Sequence, residues 1–232
     1  MVRVALGLLV AAGLVAVGLA WRDDEQAPWV GTWIATAKVP QVPVYATAGA
    51  PQPKLKLANP TTSGSALVFL VDGRDAGGKW VPVLLPVRPN GSKGWVRAAD
   101  VSLVGNEYRI VVDRKERELT FEQSGKVAWR VPIGVGKPAM PTPPGRYFVK
   151  ELIMPSSKDD DLYGPFALGL SGYSDSPGAK DFRGGDGVVA IHGTNDPDTI
   201  GERVSHGCIR VANDVITYLA RTVPMGTPVD IR

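Results

Sequence analysis

Apolar runs in this chain are short, and proline or glycine interrupts nearly all of them. The stretch KWVPVLLPVRPNGSKGWVRAADV, from Lys79 to Val101, shows the habit. The chain carries 27 glycines and 20 prolines among 232 residues. Proline removes a backbone donor and glycine weakens a helix interior, so punctuation this dense favours short strands joined by turns. Asn90-Gly91 lies in a hairpin signal between two strands of this stretch, and Pro82 and Pro86 suit an edge strand. SALVFLVDG reads as a strand ending in an Asp-Gly turn. From Glu107 onwards a second β-rich block begins. YRIVVD and RELTFEQSGKVAWRVPIGVG read as strands joined by tight turns, and TPPGRYFVKEL as a proline-rich turn feeding a further strand. GDGVVAIHG reads as a short apolar strand with His192 at its exit, and TPVDIR as a last strand. One clear helical period occurs, in NDVITYLARTV. Val215, Ile216 and Leu219 share a face, Asn213 suits the cap, and Pro224 stops it. The expected class is mainly β, with one or two helices.

The chain opens with Arg3 and an unbroken apolar run, Val4 to Ala20. Residues 1–21 read either as a signal peptide, with small residues before Trp21 for cleavage, or as an N-terminal membrane anchor with the amino terminus inside. Both readings place the rest of the chain outside the cytoplasmic membrane, touching the membrane only through this segment. Residues 22–38 show no helical or strand period and read as a linker. A small β domain is expected over 39–104 and a second domain over 107–232. The net charge is +3 with no Lys/Arg-rich block, which argues against a nucleic-acid partner. The acidic run KDDDLYG reads as a solvated loop.

Exported proteins pair their cysteines, yet this chain has one cysteine and two histidines. All three lie in HGTNDPDTIGERVSHGCIR, from His192 to Arg210. Gly207 removes a side chain beside Cys208, which gives a nucleophilic thiol access to a carbonyl. The backbone N–H groups of Gly207 and Cys208 suit a developing oxyanion. A free thiol ionises near pH 8.5, about two units above an imidazole, and a neighbouring imidazole lowers that value. His192, at a strand end, reads as the base. His206, two residues before the thiol, reads as a supporting residue that lines the site. The competing readings are an inert buried cysteine and a zinc site. The latter has no CxxC partner and would need oxygen ligands such as Asp196, Asp198 or Glu202. No metal or cofactor is expected.

These residues resemble a known family. IHGTND…RVSHGCIRV, with TPPGRY and GGDGVVAIHGT upstream, resembles the catalytic signature of the L,D-transpeptidases, the YkuD-like, ErfK/YbiS-type domain. The resemblance covers roughly Tyr108 to Arg232. It implies a β-sandwich-like catalytic domain acting on peptidoglycan stem peptides: the Cys208 thiolate attacks the third-residue carbonyl, expels D-alanine and passes the acyl group to an amine of a second stem. It implies His192 as acid and base. Ser205, His206, Gly193 and the backbone at Gly207 are implied as site-lining or oxyanion groups. Tyr173 is implied as a pocket tyrosine, and carbapenem-type β-lactams as inhibitors. Arg210 has two readings, a carboxylate binder or a structural ion pair. The earlier block resembles a bacterial SH3-like barrel through VPVYATAG, FLV at 69–71 and Gly94-Trp95-Val96. Trp80 and Trp95 are expected to fill that barrel's core. Water or a protein lysine as acceptor, and a non-catalytic wall-binding protein, are the alternative functions. Every candidate catalytic group lies beyond Val104, so the first block is expected to be dispensable for the chemistry.

Overall fold

The computed structural model describes residues 31–73, 78–154, 162–178 and 186–232. The apolar run of residues 4–20 lies outside the described residues, as do residues 158–161 of the acidic run. The described chain is mainly β, with a single α-helix.

The N-terminal unit contains β1 (Thr32–Ala37), β2 (Gln41–Val44), β3 (Leu55–Ala58), β4 (Val68–Val71), β5 (Trp80–Leu84), β6 (Lys93–Arg97) and β7 (Val101–Asn106). Five of these form one sheet in the order β6-β5-β4-β1-β7, and β2 pairs with β3. The core between them is aliphatic, with Val42, Val44, Phe69, Val83 and Val96 all buried. Three expectations are corrected here. Residues 32–37, inside the expected linker, form a central strand, and Ile34 and Ala35 are buried. Its two buried residues are adjacent and face opposite sides, Ala35 towards the aliphatic core and Ile34 towards Phe148, so TWIATA carries no alternating period. Trp80 and Trp95 lie half-buried outside the aliphatic core, with Trp80 edge-on to Tyr45 at 4.9 Å. Gly94 lets Val44 pack against the β6 backbone, where a Cβ would collide with its side chain. Strand β5 is internal. Pro82 is tolerated there because the β4 pairing covers only Leu84 and Val83, and beyond it the Pro82 carbonyl accepts from Asp72 N–H.

The C-terminal unit comprises β8 (Tyr108–Asp113), β9 (Glu118–Gln123), β10 (Lys126–Pro132), β11 (Val135–Gly136), β12 (Gly145–Ile153), β13 (Ala167–Tyr173), β14 (Val188–His192), β15 (Arg203–Ser205), β16 (Ile209–Arg210), α1 (Asn213–Thr222) and β17 (Pro228–Ile231). Eight strands form one sheet in the order β10-β9-β8-β17-β12-β13-β14-β16. The last strand of the chain thus inserts between β8 and β12, parallel to the first strand of the unit. Helix α1 lays Ile216 and Leu219 into the core with Leu170, Ile191 and Ile209. Asn213 does not cap the helix, whose N-cap is Ala212 with no side-chain bond. The Asn213 amide serves the neighbouring turn instead.

Strand β12 joins the two units. Tyr147, Phe148 and Val149 are all buried on consecutive positions. Side chains alternate along a strand, so the outer two face one way and Phe148 the other. Tyr147 and Val149 belong to the C-terminal core, while Phe148 clusters with Ile34, Val68, Leu70 and Leu84 of the N-terminal sheet. One strand therefore supports two cores.

Candidate active site

Parallel pairing of β14 and β16 sets Ile191 opposite Ile209 and His192 opposite Arg210. Ile191 and Ile209 enter the core. The alternate positions, Ala190, His192 and Arg210, share the other face. Cys208, one residue before β16, continues this register opposite Ala190. His192 and Cys208 are then diagonal neighbours, one strand and two residues apart, which places their Cα atoms about 8 Å from each other. The Cys208 sulfur itself lies 4.0 Å from the Val188 carbonyl oxygen.

Cys208 opens on a cavity of about 700 Å³, together with Gly207, His206, Tyr173 and Ala190. Burial pushes the thiol's pKa up, against opposing contributions from the Ala190 backbone and the Arg210 charge. The depressed pKa expected from a neighbouring imidazole is thus reversed. The resting group is a protonated thiol, because low polarity around sulfur disfavours the anion.

His192 is buried and its pKa is lowered to about 4, chiefly by desolvation. A hydrogen bond to Gly193 opposes that shift, and the Arg210 charge adds to it. The imidazole is therefore neutral at pH 7. Its Nδ1 lies 2.6 Å from the Gly193 carbonyl oxygen. A carbonyl only accepts, so Nδ1 carries the proton and Nε2 keeps its lone pair. The Tyr163 ring meets the imidazole edge-on at 5.0 Å and also lines the cavity.

The turn after His192 is tightly built. A Cβ on Gly193 would collide with Asn213 Oδ1 and close on Gly164. Asn213 Oδ1 also accepts from Thr194 N–H at 2.9 Å. Gly193 thus anchors the imidazole and packs the turn, and it does not line the cavity. Ser205 is buried and braces the thiol loop: its hydroxyl donates to the Cys208 carbonyl at 2.6 Å and accepts from Gly207 N–H at 3.1 Å. Two expectations change accordingly. Ser205 is a brace rather than a lining residue, and Gly207 N–H is engaged, which leaves Cys208 N–H as the oxyanion candidate of the two. Gly207 has φ +125°, a region that strains any side chain, and Ser174 stands over its open side. The chain is bent there, so His206 and Cys208 are not in one extended segment. His206 is half-buried on the cavity, its pKa lowered by burial and by the charges of Lys137 and Arg210.

Arg210 does not line the cavity. Its Nη1 donates to the Thr199 hydroxyl at 3.2 Å, its Nε is buried without a hydrogen-bond partner, and no carboxylate pairs with it among the described residues. Its charge lowers the pKa of both His192 and Cys208. Tyr173 does line the cavity, but its hydroxyl is committed to the Pro86 carbonyl at 2.8 Å. Sequence reasoning missed Tyr163, Lys150 and Glu151 on the cavity wall. Tyr163 sat in an acidic run with no periodic signal. Lys150 and Glu151 looked like ordinary strand charges, though Glu151 lies across Gly169 and pairs with Lys150 at 3.5 Å. Among the described residues no three His, Cys, Asp or Glu side chains converge as metal ligands.

Comparison with known proteins adds an independent line. Residues 107–231 match the family described as the L,D-transpeptidase catalytic domain, YkuD. The chain is 34% identical over 133 residues to YqjB of Bacillus subtilis, which bears an L,D-transpeptidase name; that stretch is 55% of this chain and 72% of the relative. It is 36% identical over 124 residues to YkuD of the same organism, named likewise, across 53% of this chain and 65% of the relative. Among solved structures it is similar to an Enterococcus faecium L,D-transpeptidase, at 25% identity and a TM-score of 0.41, over 55% of this chain and 50% of that one.

Proposed function

The chain belongs to the L,D-transpeptidase catalytic domain family, and on that premise we propose that it is a peptidoglycan L,D-transpeptidase with Cys208 as nucleophile. One observation carries the reading above the others: the chain's only thiol opens on the large cavity, on the same strand-pair face as a buried neutral imidazole. The donor is a stem tetrapeptide. Cys208 sulfur attacks the carbonyl of its third residue as the thiol proton passes to His192 Nε2. Cys208 N–H stabilises the oxyanion. Collapse breaks the amide bond, and the departing D-alanine amine takes the proton back from His192. An amine of a second stem then attacks the thioester and gives its proton to His192, which passes it to the departing sulfur, so that the thiol and the neutral imidazole are regenerated. The Gly193 carbonyl, by holding Nδ1–H, keeps Nε2 available throughout. Carbapenem-type β-lactams acylate the same sulfur.

Mass spectrometry of the purified protein with a tetrapeptide donor, alone and with an amine acceptor, tests this. Loss of D-alanine with an added acyl mass, then a cross-linked product with the acceptor, is the expected result. Hydrolysis alone would make the protein an L,D-carboxypeptidase. No covalent adduct would leave a wall-binding protein. We further propose the ErfK/YbiS-type likeness of the motif, an SH3-like character for the N-terminal unit, a domain boundary near residue 107, and an exported location set by residues 1–21. Protease accessibility in spheroplasts tests the last. Protection of the C-terminal unit would overturn it.

A further inference from the structure

The cavity that holds Cys208 is not made by the C-terminal unit alone. Leu57 and Ala58 at the end of β3, the hydroxyl run Thr61 to Ser63, and Pro86 beyond β5 form part of its lining. The loop after β3 is built to keep its shape. Leu67 N–H donates to Asn59 Oδ1 at 3.0 Å, Asn59 Nδ2 donates to the Val39 carbonyl at 3.2 Å, and Thr61 N–H donates to the Ser65 carbonyl at 2.8 Å. Thr62, exposed at its tip, is free of these bonds and lines the cavity.

The N-terminal unit also holds the opposite rim. The Asn90 side-chain amide pairs with the Tyr173 backbone as a neighbouring strand would, donating to its carbonyl at 2.7 Å and accepting from its N–H at 2.9 Å. Arg88 lies over the Tyr173 ring at 4.3 Å, bonds the backbone carbonyls of Ser174 and Asp186, and pairs with Asp175. Tyr173, Ser174 and Asp186 all line the cavity.

We infer that the N-terminal unit is a constituent of the donor cleft: the wall of Leu57 and Thr61 to Ser63 selects the part of the donor peptide remote from the attacked bond, and Arg88 and Asn90 position the facing rim. This rests on the transpeptidase reading above. The wall's chemistry narrows the class of ligand. It offers hydroxyls and aliphatic carbon with no charged side chain, whereas Lys150, Glu151 and Asp186 lie on the other unit's side. Such a wall suits uncharged peptide backbone with small aliphatic side chains, and charge on the ligand belongs opposite.

The test uses the full chain with Thr62→Trp, which fills space at an exposed position, and Thr62→Asp, which adds charge without bulk. Steady-state release of D-alanine from the tetrapeptide is measured beside alkylation of Cys208 by iodoacetamide, which displaces iodide and needs no peptide site. Both variants are expected to raise KM about tenfold or more with kcat held within about twofold, at an unchanged alkylation rate. An unchanged KM in both variants would overturn the wall. A matching loss of alkylation would also overturn it, since the loop would then be shaping the thiol and not the ligand. A native protein that is alkylated but never acylated by the tetrapeptide would instead refute the function on which the inference rests.

Discussion

His192 is neutral because it is buried, and that burial has two consequences at the scale of the residue. The first is catalytic. Removing His192, the proposed base, should slow acylation by a factor of about 10² to 10⁴. Strongly alkaline pH should restore part of the rate in His192→Ala by ionising Cys208 directly, since the thiol's own pKa is raised. His206→Ala should lose less and show no such recovery. Stopped-flow acylation across pH separates the two, and a larger, alkali-rescued defect in His206→Ala would reverse the assignment. Cys208→Ala should abolish adduct formation with donor and carbapenem alike, read as the absence of a mass shift. The second consequence concerns stability. The unfolded chain's imidazole takes a proton near its ordinary 6.5, whereas the native one resists until about 4. The contribution is therefore whole above 6.5, is lost as pH falls towards 4, and changes no further below it; it amounts to roughly 3 kcal/mol. Thermal melting at pH 7 and pH 4 should show a smaller acid loss in His192→Ala than in the native protein.

Elements hold these residues through contacts that a linear reading does not reveal. The thiol segment is legible in the sequence because its chemistry is local: a glycine beside the only cysteine, and both imidazoles within one short stretch. The strand ending at His192 and the helix after Asn213 are legible too, from apolar runs and a 3.6-residue period. What Asn213 does is not. Its side chain reads as a cap, but the distance from α1 to the turn after β14 lets it take Thr194 N–H instead. Ser205 is equally opaque, since bracing a loop and lining a pocket require the same residue type. Asn213→Ala should leave Thr194 N–H buried without its partner, costing about 1–3 kcal/mol. Because that turn supplies the carbonyl that orients His192, kcat should fall more than KM rises. Urea denaturation and steady-state kinetics check the pair of effects, and full kcat at reduced stability would show that the turn does not govern the base.

At the scale of the whole molecule, the expectation that the first block is dispensable meets a shared interior. Phe148 is fully buried against Ile34, Val68 and Leu70, so a chain begun at residue 107 would expose it. Phe148→Ala should cost about 3–5 kcal/mol. The fragment 107–232 should bind a hydrophobic dye and unfold without a sharp transition in calorimetry; a sharp, native-like transition would show that the C-terminal core is self-sufficient. The order of two β-rich blocks is legible from punctuation and motif. Their union is not, because Phe148 is one apolar residue in a strand of several, and nothing in RYFVKELI marks which of them turns towards the other unit.

A strand that belongs to two interiors cannot act as a hinge. Domains swing when the surfaces between them can slide, and β12 offers no such surface: moving one unit would drag Phe148 out of the sheet that encloses it. The jaws of the cleft are then fixed relative to each other, with the gap between the Thr61–Ser63 loop and the thiol set once, when the chain folds. On that packing, Phe148 gives the two units no joint at β12 about which to close. On the inference drawn above, such a cleft is a gauge, and its tolerance for peptide width is expected to be retuned by changing the size of a side chain at the mouth rather than the looseness of a joint.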